Sequence, residues 1–131
     1  MATDLRIVIP NQPGRAARLL EALAEAGVNL GGICGDIRPG ETWGFMHLLV
    51  EDADVAAGIV EAQGMQITSR HAVHIHELED RPGAIAETLR SYREKGENVE
   101  VIYTIAADRM VVGTDLMREE IQGVRVEDAK Y

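Results

Sequence analysis

A repeat limits what this chain can fold into. Pro13-Gly14 and Pro82-Gly83 stand 69 residues apart. At the same offset Leu20 matches Leu89, Glu25 matches Glu94, Gly27 matches Gly96 and Asn29 matches Asn98. The apolar positions between them correspond in kind: Ala16, Leu19, Leu20 and Leu23 against Ile85, Thr88, Leu89 and Tyr92. A period of this length means one supersecondary plan used twice, so any fold assignment has to accommodate two copies.

Each copy reads as strand, turn, helix, turn, strand. Residues 5–10 and 73–78 are apolar runs rich in β-branched side chains, as strands require. Proline fits the first turn of a helix, where a missing N–H costs nothing, and the glycine after it lets a neighbour approach the backbone. Residues 13–26 and 82–95 carry apolar side chains at helical spacing. Gly27 and Gly96 then fall at the helix ends, and Asn29 and Asn98 open the next strands.

The rest of the chain fills in around this plan. Residues 28–37 are extended but interrupted by Gly31, Gly32 and Gly35, and residues 38–41 form a turn. Residues 43–50 are dense in apolar side chains and read as a central strand. Asp52 or Asp54 caps a helix to Gln63 with Val55, Ile59 and Val60 inward, and residues 65–70 form a fourth strand. In the second copy a strand at 98–105 turns through 106–108 into another at 109–113. Thr114 or Asp115 caps a short helix to Gln122, and a last strand covers 124–127 before a frayed tail at 128–131. The order βαββαβ, twice, predicts an α+β chain of two units, residues 1–70 and 71–131. Each has a four-stranded antiparallel sheet with helices on one face. Units of about 65 residues bury only about 60% of their unfolded surface, so they are expected to pack together or against another chain. No Pro/Gly/Ser linker separates them at Arg70-His71-Ala72.

The two turns with their following elements resemble the ACT domain family, small regulatory modules that bind amino acids. The family pattern is an Asp/Asn-x-Pro-Gly turn, a leucine-striped helix and Gly-x-Asn at the next strand. Asn11-Gln12-Pro13-Gly14 with Gly27-Val28-Asn29 matches it, and so does Asp80-Arg81-Pro82-Gly83 with Gly96-Glu97-Asn98. The resemblance implies ferredoxin-like units that pair by edges or sheets and hold a ligand at the junction. It also implies the site residues. In the first copy these are Asn11, Gln12, Pro13, Gly14, Arg15, Asn29 and Leu30; in the second they are Asp80, Arg81, Pro82, Gly83, Ala84, Asn98 and Val99. Backbone N–H groups at the helix starts would take a carboxylate, and an asparagine from a facing copy would take the ammonium or side chain. The plainer alternative is that proline and glycine only shape a tight turn. The copies differ in charge: Asn11 is neutral where Asp80 is an anion, so the first turn suits a ligand carboxylate, while Asp80 is expected to cap its own helix. The glycines after Asn29 are read as open space that Glu100, Val101 and Ile102 fill in the second copy.

Other chemistry is sparsely supported. A net charge of −9 counts against a nucleic-acid backbone or an anionic membrane surface as a direct partner. Cys34 is the only cysteine, which fits a reducing compartment, and a small buried thiol is its expected state. No long apolar stretch marks a membrane span, so a cytoplasmic protein is expected. His74 and His76 share a strand face and His71 does not; a solvated strand face accounts for them without a metal. No phosphate loop, nucleophile pair or cofactor motif is present. The reading is therefore a non-enzymatic, homodimeric sensor of a free amino acid or related metabolite. The alternative is an interaction module, or the regulatory subunit of an enzyme or regulator, with degenerate ligand sites.

Overall fold

The computed structural model describes residues 2–119. Eight strands and three α-helices follow in order: β1 (Thr3–Pro10), α1 (Arg15–Glu25), β2 (Gly32–Asp36), β3 (Trp43–Val50), α2 (Ala53–Ala62), β4 (Gln66–Ala72), β5 (His74–Glu77), α3 (Ala84–Glu94), β6 (Val99–Ala106), β7 (Arg109–Thr114) and β8 (Arg118–Glu119). A five-stranded sheet runs β2-β3-β1-β4-β8 and a three-stranded sheet β5-β7-β6, with every pairing antiparallel. The α+β class, the antiparallel sheets and the ferredoxin-like strand order of the first copy are as the sequence predicts.

Strand parity decides the layers. Leu5, Ile7 and Ile9 of β1 and Leu48 and Val50 of β3 face α1 and α2, meeting Leu19, Leu23, Ala56 and Val60 in the main core. Their intervening neighbours point the other way, as strand geometry demands. There Ala2 and Leu49 meet Val73, Val111, Tyr103 and Ile105 of the second sheet. The far face of that sheet packs on α3 through Tyr92, Met110, Val112, Leu89 and Val99. The first sheet is thus buried on both sides.

The repeat survives at the level of single hydrogen bonds. Gln12 N–H bonds Pro10 O in the first turn, and Arg81 N–H bonds Glu79 O in the second, both at 2.9 Å. At the helix ends Gly27 N–H reaches Ala24 O and Val28 N–H reaches Leu23 O; Gly96 N–H reaches Arg93 O and Glu97 N–H reaches Tyr92 O. Both are Schellman closures, and they need the left-handed backbone of Gly27 (φ 77°) and Gly96 (φ 71°).

Several expectations are corrected. Gly14 and Gly83, not the prolines, stand at the helix starts, each left-handed (φ 84° and 89°). Proline lies one step outside, in the turn. Asp80 does not cap α3, which has no side-chain cap. Residues 28–31 are loop, so Asn29 does not open a strand, whereas Asn98 immediately precedes β6. Asp52 caps α2 by accepting from Val55 N–H at 3.1 Å. That phase turns Ala53, Ala56 and Val60 inward and leaves Val55 45% exposed. Cys34 is exposed on edge strand β2. In place of the start of a helix, residues 115–117 form a single 3-10 turn, and β8 then joins the first sheet through Arg70 and His71. The expected continuation to Gln122, the strand at 124–127 and the tail lie outside the described residues.

Candidate functional site

The first Pro-Gly turn sits where β1 runs out of its sheet and α1 begins. Arg15 N–H is taken by Gln12 O and Arg18 N–H by Gly14 O, while Ala16 and Ala17 N–H have no backbone acceptor among the described residues. These two orphan donors carry the positive end of the helix dipole. A Cβ built on Gly14 would meet nothing within 4 Å, so the space over the turn is open. Arg15 leans back, its Nη1 donating to Gln12 Oε1 at 3.3 Å and its Nη2 to Gln63 O at 3.5 Å. The Asn11 amide is already employed: Nδ2 donates to Glu41 O at 3.0 Å, and its backbone N–H to Thr42 O at 2.8 Å. Asn11 therefore fastens the 37–42 loop to the turn.

Beside this turn a groove of about 460 Å3 runs between the start of α1 and the edge strand, lined by Ile9, Ala16, Ile33, Asp36, Ile37 and Met46 among others. Ile33 is 48% exposed in it. β2 has a partner on one side only, so its other edge is unpaired among the described residues.

The second turn is closed by its own side chains. Arg81 pairs with Glu79 and with Glu87, each at 2.6 Å, and Glu87 lies in the first turn of α3. Hydrogen bonds donated to Glu87 and then Glu79 push the Arg81 guanidinium pKa up, and the bond accepted from Arg81 pulls the Glu87 carboxyl down. Ile85 and Ala86 N–H also have no backbone acceptor among the described residues, but here Arg81 Nη1 lies 4.0 Å from the place of a Cβ on Gly83, held by Glu87, whereas the space over Gly14 is empty and α1 has no acid in its first turn. Asp80 makes no ion pair among the described residues. Asn98 N–H is bound by Asp115 Oδ1 at 3.0 Å.

Asn29 is not near its own Pro-Gly turn, because an 11-residue helix, about 16 Å long, separates them. It lines instead a cleft shared with Ile75, Ile105 and Arg109 of the second copy. Leu30 packs on the main core. Gly32 does not open ligand space: a Cβ there would stand 2.5 Å from Ile105 Cγ2, so the second sheet already occupies that room.

Sequence reasoning missed the polar clasp between the sheets. Asp4, fully buried, accepts from the Tyr103 hydroxyl at 2.7 Å and lies 2.9 Å from His47 Nδ1. Burial first, and then Asp4, push the Tyr103 hydroxyl well above its ordinary pKa of 10.0, so it stays a donor. Buried His71 reaches Glu100 at 2.9 Å, and Glu100 reaches Arg118 at 2.6 Å. The one hint in the sequence was Asp4 and Arg6 alternating with Leu5 and Ile7, a pattern equally expected of a solvated strand face.

The histidines on the second sheet are structural. His76 is hydrogen-bonded to the hydroxyl of Tyr92, itself held protonated by burial and by Glu97. Burial, then His74 and Lys95, lower the His76 pKa below its ordinary 6.5. A folded-state pKa below the unfolded one means the unfolded chain takes up the proton first. Stability carried by neutral His76 is therefore complete above about pH 6.5 and declines as pH falls through that value. His76→Gln should flatten the acid side of a melting-temperature profile between about pH 7 and 5.5; an unchanged slope would refute the assignment. Among the described residues no three His, Cys, Asp or Glu side chains cluster to hold a metal, and no helix is long and apolar enough to cross a membrane.

No family model and no curated protein matches the sequence. Solved structures do. A protein from Bacteroides thetaiotaomicron superposes with a TM-score of 0.71 at 23% identity, over 86% of this chain and 78% of its own. The ligand-free regulatory subunit of aspartate kinase from Thermus thermophilus gives 0.65 at 24% identity, over 86% and 82%. The corresponding subunit from Thermus flavus gives 0.63 at 22%, with the same coverage. The chain has the fold of tandem ACT-domain proteins.

Proposed function

We propose that this chain is a regulatory ACT-domain protein without a catalytic role, binding a free amino acid or a close relative at the Asn11–Arg15 turn. The observation that carries the reading is the pair of open donors, Ala16 and Ala17 N–H, at the mouth of an apolar groove. A ligand carboxylate fits the donors, and its side chain fits the groove. The second turn, filled by Arg81 and Glu87, is a structural copy. The unpaired edge of β2 borders the groove, so a second copy of the chain would close the site by pairing there. Residues 1–70 and 71–131 are the two units on this reading, and ligand binding alters what their outer surfaces offer to an enzyme or regulator in the cytoplasm. The named Thermus relatives are regulatory subunits of aspartate kinase, which favours an enzyme of amino-acid metabolism as that partner. The second reading, an interaction module without a ligand, draws on the closed second turn and on exposed Ile102 and Ile85.

A thermal-shift screen of the twenty amino acids tests the choice. A ligand at about 100 times its Kd stabilises by about 2.7 kcal/mol, a shift of several degrees. Gly14→Val should abolish binding at the turn in a folded protein, because a branched side chain strains the left-handed backbone and covers the donors. Asn11→Ala should weaken it more than Asp80→Ala, since the 37–42 loop loses its tether to the turn. Normal binding by Gly14→Val would remove the carboxylate from this turn. No shift with any amino acid would leave the interaction module.

A further inference from the structure

The seam between the two sheets opens at one end into a cleft of about 140 Å3. It is remote from the Asn11–Arg15 turn and is built from both copies. Its floor is Ala2, Leu49 and Ile105 of the seam cluster, with Ile75 beside them. Its rim is polar, with Arg109 at the start of β7, Asn29 in the loop after α1 and Glu51 just past β3. Neither the Arg109 guanidinium nor the Asn29 amide makes a side-chain hydrogen bond or ion pair among the described residues. Glu77 stands across the β5–β7 ladder from Arg109 and forms no ion pair with it.

A cation with an uncommitted fork of donors, next to an amide and above an apolar floor, is chemistry for a carboxylate on a short apolar stem. We propose that this cleft is a second ligand site, complete within one chain, for a carboxylate-bearing metabolite of about six heavy atoms. Arg109 takes the carboxylate through two N–H groups and Asn29 adds a polar contact. The floor receives the stem. Size sets the class. An apolar cavity of about 150 Å3 holds a six-carbon ring, so glycine or alanine fits here and an indole side chain does not. The site needs neither the Pro-Gly turn nor a partner copy. Its occupant touches the first copy through Asn29 and Leu49 and the second through Ile75 and Arg109, so binding would hold the two sheets in register.

The test is an amide-resolved NMR titration of the full chain with glycine, L-alanine, acetate and L-tryptophan. Wild type and Gly14→Val should both show saturable shifts at Gly31, Ile75 and Arg109 with glycine or L-alanine, and weaker ones with acetate. Arg109→Gln should weaken this binding about tenfold while the rest of its spectrum is retained, and Arg109→Lys, which keeps charge but loses the fork, should fall between. Wild-type affinity in Arg109→Gln would overturn the proposal. So would shifts confined to residues 11–16, seam shifts with L-tryptophan equal to those with glycine, or no seam shift with any probe. Loss of binding at the turn in Gly14→Val, with the seam response intact, separates this site from the one proposed above.

Discussion

Asp4→Ala should destabilise the protein by about 3 kcal/mol and lower its melting temperature by about 10 °C, the largest loss expected from any single polar side chain here. Asp4 is on β1 of the five-stranded sheet and Tyr103 on β6 of the three-stranded one, 99 residues apart in sequence and 2.7 Å apart through the hydroxyl. The carboxylate is wholly buried and can only accept, so Nδ1 of His47 must carry a proton where it meets Oδ2. Removing the carboxylate leaves two part-buried donors, the Tyr103 hydroxyl and His47 Nδ1, facing a small void. Each such donor costs about 1–3 kcal/mol, well beyond the lost bond itself.

Tyr103→Phe should cost less, about 1–2 kcal/mol, because the carboxylate keeps His47. The double variant should be more stable than the sum of the singles by about 1 kcal/mol or more, since the hydroxyl's penalty disappears once its partner is already gone. Denaturant melts of the four proteins measure this. Additive losses, or a fall under about 2 °C for Asp4→Ala, would show that the clasp does not hold the sheets together.

What could be read in the sequence was whatever local backbone chemistry dictates. Gly27 and Gly96 announce Schellman closures because only glycine takes that backbone cheaply, and the chain closes both helices so. The apolar density of β3 placed that strand at the centre of a sheet. Roles that depend on a distant partner were not legible. Gly32 carries the same letter whether a ligand or Ile105 fills the space over it. Asp4 looks like a surface residue until Tyr103 arrives. Val55 faces out because Asp52, not Asp54, sets the phase of α2, a choice that propensity leaves even. At the candidate site the motif located the turns but not their difference: Arg81 fills the second through Glu87, six residues on, a pairing no spacing rule for the motif contains.

Gly44→Val should likewise destabilise, by about 2–3 kcal/mol, and should loosen the first Pro-Gly turn although it lies outside it. Strand propensity predicts the opposite sign, since valine is favoured over glycine inside a strand such as β3. The structure decides the matter by proximity. A Cβ at position 44 would stand 2.3 Å from Ile37 Cγ1 and 2.5 Å from the Asp36 carbonyl oxygen. The Ile37 side chain can swing away. The Asp36 carbonyl cannot, because Asp36 pairs with Phe45 in the β2–β3 ladder. The 37–42 loop must therefore move, and it is tied to Asn11 through Thr42 O and Glu41 O. Trp43, the only tryptophan in the chain, stands next to the substitution with its ring 5.2 Å from that of Phe45. Its emission should shift to the red as the loop parts, and any ligand response at the turn should weaken in the same variant while Arg109 and the seam stay as they were. An unshifted emission with a higher melting temperature would mean that propensity prevails and that the loop is not what positions the turn.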